Sequence, residues 1–269
     1  MIGQKRILDY LDKHGDTLSH FIILVAPNGC GKRTIAKLIA EKQGATYAPC
    51  GVKVDEIREM INTANTVSEK VLYCIENADT MSLMAKNALL KVTEEPPKNA
   101  YIVMTVQNDS SLLGTIKSRG TVFNLEPYKP KEIREFIDTF KNDYNKEFSD
   151  WVSKVAITPG EVQLYFKYGQ EFIDYVNLVI DNIAEVEPAN AFKSSKKLAF
   201  KKEDEDNYDL NLFWVTFSSL LVHRIKENPL KFARGVEVTS PYINKSAKVG
   251  VNLQQLYDSW VFKIREAWL

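Results

Sequence analysis

The sequence has no net charge, few cysteines and histidines, and no long apolar run. Its 35 basic and 35 acidic residues cancel, so no global field draws the chain onto nucleic acid or an anionic membrane, and any such contact must come from a local patch. The three cysteines, Cys30, Cys50 and Cys74, lack C-x-x-C spacing, and His14, His20 and His223 do not complete a ligand set. A structural zinc site needs about four paired ligands, so none is expected and the cysteines read as free thiols. No segment approaches the roughly 18 to 20 unbroken apolar residues of a membrane helix. The first residues, MIGQKRILDYLDK, carry no apolar signal-peptide core. The expectation is a cytoplasmic protein with no membrane partner. Internal repeats and low-complexity tracts are absent as well.

What is present fits two or three compact domains in 269 residues, with 45% hydrophobic and 26% charged residues. His20 to Ala26 is a continuous apolar run, as a buried parallel strand requires, and Lys32 to Lys42 carries helical periodicity at Ile35, Leu38 and Ile39. A short strand near Ala45 to Ala48 and a helix from about Val54 to Asn65 follow. A second buried strand, Val71 to Glu76, leads to a helix from about Ser82 to Glu94 that Pro96-Pro97 must stop. A third strand, Tyr101 to Val106, precedes a helical turn and a strand at Thr121 to Leu125. Strands alternating with helices predict an α/β domain with a parallel sheet over residues 1–126.

Beyond Glu126-Pro127 the pattern becomes helical. Residues 127–185 read as a small helical lid, broken at Thr158-Pro159-Gly160, and 186–207 as a charged, solvated linker running through Lys202 and Glu203 to Asp206. Residues 208–269 read as two or three further helices bearing Trp214, Trp260 and Trp268, which at helical spacing suit core or subunit packing better than a ligand cage.

The chemistry centres on Ala26-Pro27-Asn28-Gly29-Cys30-Gly31-Lys32-Arg33-Thr34. A phosphate-binding loop reads G-x-x-x-x-G-K-[ST]: backbone N–H groups wrap the phosphates, the lysine reaches the outer ones and the hydroxyl ligates magnesium. Here Gly31 and Lys32 are in place, but Ala26 stands at the first glycine and Arg33 at the hydroxyl. Thr34 cannot take over, because one helical step turns a side chain by about 100 degrees. Lys32 beside a helix N-terminus still makes an anion site. Two readings stay open: a nucleotide site with poor metal placement, or a loop retained for packing.

The partner motif departs in the same sense. The strand beside a P-loop usually ends in an Asp that reaches magnesium, whereas this chain has Ile75-Glu76-Asn77-Ala78-Asp79. Glu76 is one methylene too long for that geometry, and Asn77 has no basic oxygen with which to orient water. Two independent departures argue against hydrolysis. Glu94 and Glu95, in the last turn of a helix, oppose its macrodipole, which suggests a nearby basic surface; solvated glutamates are the plainer alternative.

Asn87-Ala-Leu-Leu-Lys-Val-Thr-Glu-Glu-Pro-Pro97, with Ser118-Arg119-Gly120 some twenty residues later, resembles the clamp-loader branch of the AAA+ ATPases, where NALLK-x-x-EEPP precedes a Ser-Arg-Cys motif. Ile2-Gly3-Gln4 resembles the entry to that family's adenine pocket. The order of elements matches over residues 1 to about 185, and the likeness to delta-prime subunits, whose own ATP site is degraded, is strong there and weak beyond. The resemblance implies a P-loop domain, lid and helical collar. It implies ATP or ADP at a degenerate site formed by residues 27–34 with Glu76 and Gln107 (the sensor-1 position), magnesium poorly placed, and no zinc. The four-cysteine module of bacterial clamp loaders is absent, since only about three dozen residues separate Thr34 from Val71; the outline is closer to phage or replication factor C subunits. Gly160 stands where the sensor-2 arginine is usual, and Gly120 where the motif has Cys.

Arg119 is kept, and the resemblance implies that it acts in trans as an arginine finger on a neighbour's nucleotide, with Ser118, Glu94 and Glu95 at the interface. The implied partners are other AAA+ clamp-loader subunits, a sliding clamp and primer-template DNA. No basic stripe marks a DNA path, and Lys86 and Lys91 equally suit a solvated face. The expected function is a clamp-loader subunit deficient in its own hydrolysis. The alternatives are an active ATPase subunit in which Arg33 is tolerated, or an AAA+ protein of another DNA pathway.

Overall fold

The computed structural model describes residues 2–140, 145–201, 204, 206–246 and 250–269. Two compact units emerge, one of Met1–Lys141 with Ile157–Gly160, the other of Asn142–Ala156 with Glu161–Leu269.

The first unit is built on five parallel strands: β1 (Phe21–Val25), β2 (Thr46–Cys50), β3 (Val71–Ile75), β4 (Ala100–Val106) and β5 (Thr121–Asn124), ordered β2-β3-β4-β1-β5. The expected α/β parallel sheet is present. Every residue of β1 and β4 is buried, because helices cover both faces. Strand alternation divides β1 between two cores. Ile22 and Leu24 pack in one with α1 (Lys5–Lys13) and α2 (Lys32–Gln43), through Ile7, Leu11, Ile35 and Ile39. Phe21, Ile23 and Val25 pack in the other with α3 (Val54–Ala64), α4 (Leu83–Glu94) and α5 (Gly114–Lys117), through Ile57, Met60, Leu89, Val92 and Ile116. α6 (Pro130–Asp138) closes the unit's chain, with Pro130 in its first turn, where the missing N–H costs nothing.

Local chemistry sets the helix ends that matter for the site. Gly31 caps α2 in the left-handed region at φ 81°, which a side chain would resist. Ser82 Oγ accepts from Ala85 N at 3.2 Å to start α4, and Pro96-Pro97 follow its end.

The second unit is helical: α7 (Lys146–Val155), α8 (Pro159–Asn182, broken at Gly169, its start through Gly160 belonging to the first unit), α9 (Pro188–Ala191), α10 (Leu210–Arg224), α11 (Pro229–Ser246) and α12 (Leu253–Trp268). Trp214 and Trp260 are fully buried. Trp260 Nε1 donates to Thr239 Oγ1 at 3.0 Å and Trp268 Nε1 to Lys231 O at 2.8 Å, so these rings are core, with most of their polar edges satisfied. α10 and α11 approach closely at Gly235, where a Cβ would stand 2.5 Å from Leu221 Cδ1.

The stretch read as a linker includes Lys202, Glu203 and Glu205, which lie outside the described residues. Its described part holds α9 and the strand β6 (Leu198–Ala199), parallel to β7 (Tyr208–Asp209). Ala191 and Leu198 are buried there, so those two apolar residues anchor this part of the stretch among its charges.

Candidate functional site

The candidate site lies at the carboxyl ends of β1 and β3, where open parallel sheets bind ligands. β1 runs straight into the loop Ala26 to Gly31, and α2 begins at Lys32. Lys32 is 8% exposed: its Nζ turns back over the loop and donates to Ala26 O at 2.5 Å and Pro27 O at 2.9 Å. Burial pulls its ammonium below the ordinary lysine value, opposed by Cys30 and Asp79. Asp79 sits in the turn after β3, and its Oδ1 is buried without a hydrogen bond among the described residues.

Arg33 and Glu76, the two departures from a working motif, meet. Arg33 Nε donates to Glu76 Oε1 at 2.6 Å and Nη2 donates to Oε2, a fork across the carboxylate. Tyr47 on β2 adds its hydroxyl to Oε1 at 3.1 Å. The Arg33 hydrogen bond holds Glu76 below its ordinary value of 4.5 and raises Arg33 further. Burial, with Cys74 and Glu76 beside it, pushes the Tyr47 hydroxyl up, so it stays a neutral donor. Lys37 lies over the Tyr47 ring at 5.5 Å.

Magnesium does not fit this arrangement. It asks for near-octahedral oxygen ligands, yet the hydroxyl position holds a cation and both Glu76 oxygens are taken. Among the described residues no group of three His, Cys, Asp or Glu side chains could hold a metal.

The other residues expected here scatter around the loop. Asn28 and Thr34 are exposed, and Gln107, half-buried just past β4, makes no hydrogen bond among the described residues. Asn77 takes the left-handed conformation at φ 53°, which Asn tolerates better than most residues, and its N–H donates to Thr105 Oγ1 on β4 at 3.1 Å. Gly160 N donates to Gly29 O at 3.0 Å, and a Cβ on Gly160 would lie 2.4 Å from Gly29 Cα. Backbone contact with the loop thus requires a residue without a side chain at position 160.

Two tyrosines were not foreseen. Tyr47 offers no signal beyond its place in a strand. Tyr128 packs its ring against Gly3, where a Cβ would be 2.8 Å from Cε1, and its hydroxyl donates to Cys30 O at 3.3 Å. Gln4, also left-handed, exchanges two hydrogen bonds with the Glu126 backbone, at 2.8 and 2.9 Å. The N-terminal turn and the loop are therefore joined through residues 126–128.

Arg119 is remote from this cluster in sequence and stands in an open groove of about 430 Å³, with His20, Thr93, Glu94 and Lys98 on its walls. Its Nη2 pairs with Glu94 at 3.3 Å and Nη1 donates to Thr115 O at 2.6 Å. Glu94 thus finds a basic partner within its own chain, while Glu95, the C-cap of α4, is exposed. Ser118 Oγ donates to Thr115 O at 3.1 Å. Gly120 has a packing reason, since a Cβ there would come within 2.9 Å of Ile23 Cδ1 and 3.0 Å of Phe21 Cε1.

With this geometry in hand, comparison with known proteins is specific. A family model described as DNA polymerase III, delta subunit, matches residues 43–129. The delta' subunit of Bacillus subtilis DNA polymerase III is 35% identical over 83 residues, 31% of this chain and 25% of that protein. The gamma/tau subunit of Mycobacterium tuberculosis is 24% identical over 195 residues, 60% of this chain. The chain thus resembles DNA polymerase III subunits of the clamp-loader type. It spans about a third of the gamma/tau relatives' length, 34%. In fold, a gamma subunit-related protein of Thermotoga maritima superposes with a TM-score of 0.56 at 16% identity, over 97% of this chain and 99% of that one. No helix among the described residues is long and apolar enough to cross a membrane.

Two outcomes are expected. Gly160→Ala forces a methyl into the Gly29 backbone and lowers stability by about 1–3 kcal/mol, read as an earlier midpoint in urea melts; an unchanged midpoint would show that the loop can recede. In Arg33→Ala, the Glu76 carboxylate titrates closer to 4.5 than in wild type, followed by carbon-detected NMR. Because the folded value is depressed, the pair's stabilisation is present above the unfolded value and is lost as pH falls through the folded one. Its size is about 0–1 kcal/mol, since the Arg33 side chain is 65% exposed.

Proposed function

We propose that this chain is a clamp-loader subunit of delta-prime type that does not turn over ATP and that supplies Arg119 to a neighbouring subunit's nucleotide. In this reading residues 1–126 are the P-loop domain, 127–185 the lid, 186–207 a linker and 208–269 the collar. The partners are other AAA+ clamp-loader subunits, a sliding clamp and primer-template DNA, in the cytoplasm. The DNA polymerase III subunits among its relatives support that partner set.

The observation that carries the proposal is the state of Glu76. A carboxylate that would organise a metal and, through it, a phosphate is instead saturated by Arg33 and Tyr47. Asn77 supplies no base beside it. Hydrolysis in cis therefore lacks both a cation position and a group to orient water, while Lys32 and the loop amides keep an anion site for ATP or ADP.

Arg119 has the opposite character. Its pair with Glu94 is single and long at 3.3 Å, with the glutamate 62% exposed, and such pairs are held weakly. A phosphate brought against the groove, where Lys98 adds charge, offers the guanidinium a stronger, charge-assisted partner. In the transition state that arginine neutralises developing negative charge.

The test is DNA- and clamp-stimulated ATPase of the reconstituted assembly. Arg119→Ala is expected to lower the rate by about 10³-fold or more, and Lys32→Ala to leave it within about threefold. Lys32→Ala as the more damaging change would make this chain itself the ATPase. Full activity in Arg119→Ala would remove the finger role.

A further inference from the structure

Resting on that reading and deepening it, we propose that the loop takes a nucleoside di- or triphosphate without a divalent cation, because Arg33 is the resident cation of the site. Magnesium in a P-loop does two jobs: it neutralises phosphate charge and it ties the phosphate to a carboxylate at the end of a second strand. The guanidinium of Arg33 sits in the first turn of α2, next to Lys32, and is already tied to that carboxylate by Nε and Nη2. It does the second job with two of its five N–H donors. Nη1 makes no hydrogen bond among the described residues, and 65% of the side chain is exposed, so a donor edge is left for an anion arriving at the loop.

The local charges point the same way. Lys32, Arg33 and Lys37 surround Glu76 and Asp79, so a dication would enter a cluster with more positive than negative charge, and to reach Glu76 it would have to displace a fork and the Tyr47 hydroxyl. An anionic phosphate meets attraction at the same place. Both substitutions are needed for this. The extra methylene of Glu76 extends its carboxylate toward the guanidinium, and a serine or threonine at 33 would leave it without a hydrogen-bonded cation.

The experiment is a titration of the full chain with a fluorescent N-methylanthraniloyl derivative of ADP, once with millimolar magnesium and once with EDTA. The wild-type affinity in EDTA is expected to equal or exceed that in magnesium, since free magnesium competes for the phosphates. Arg33→Thr, which restores a hydroxyl and releases Glu76, is expected to bind about tenfold more weakly in EDTA and to recover when magnesium is added. Magnesium tightening wild-type binding about threefold or more overturns the proposal. So does Arg33→Thr binding as wild type in EDTA. The wild-type comparison decides even where the variant fails to fold. Absence of binding in both buffers also overturns it, while leaving the role of Arg119 standing, because that role is scored on the neighbour's ATPase. The converse, metal-free binding with an inert Arg119, would separate the two in the other direction.

Discussion

Burial of β1 on both faces constrains everything that follows it. Its five residues alternate between two cores, so the chain can leave the strand only at its carboxyl end, and α2 must return to cover the face on which Ile22 and Leu24 lie. The turn is closed by Gly31 in the left-handed region, and Lys32 emerges in the first helical turn with its Nζ over the loop carbonyls. β4 lies between β1 and β3, and Thr105 on β4 holds the Asn77 backbone. Glu76 is thereby fixed one strand away from the loop, where the long side chain of Arg33 on α2 reaches it. The same register that would place magnesium between a hydroxyl and an aspartate places a guanidinium against a glutamate.

Seen from the sequence, Arg33 and Glu76 are two losses. Their contact makes them one replacement. Arg33 alone would add uncompensated charge beside Lys32, and Glu76 alone, only 23% exposed, would be a carboxylate held partly out of water without a cation. Joined by a fork and supported by Tyr47, they satisfy each other's hydrogen-bonding capacity. The altered motif is thus a stable arrangement in its own right.

The fold was legible because its signals are local. Continuous apolar runs marked β1, β3 and β4, a serine cap and a double proline bounded α4, and the spacing of NALLK, EEPP and SRG carried the resemblance to clamp-loader subunits. The contacts that complete the site were not, because each joins residues far apart in the chain. Tyr47 reaches Glu76 and Tyr128 reaches Cys30 only after the sheet has formed. Gly160 is small because the Gly29 backbone occupies the space beside it, a reason no motif contains. The place of Glu94 at a helix end points to a nearby basic group, but not to Arg119, which reaches it from a later segment of the chain.

The chain contains two arginine–glutamate pairs, and their difference separates a structural arginine from an available one. Arg33 and Glu76 share two hydrogen bonds, one at 2.6 Å, and the carboxylate is further held by a tyrosine whose hydroxyl is kept protonated by burial. Withdrawing Arg33 would take both charge-assisted hydrogen bonds from Glu76 and leave it one neutral donor, Tyr47, with its side chain only 23% exposed. Arg119 and Glu94 share one contact at 3.3 Å, with the glutamate mostly in water. Withdrawing Arg119 costs Glu94 little, because solvent replaces the lost charge at once. An arginine that is to act on another molecule must be held in place and yet be surrendered readily, and the groove beside α4 meets both conditions while the loop beside α2, where a fork holds Arg33 to Glu76, meets only the first.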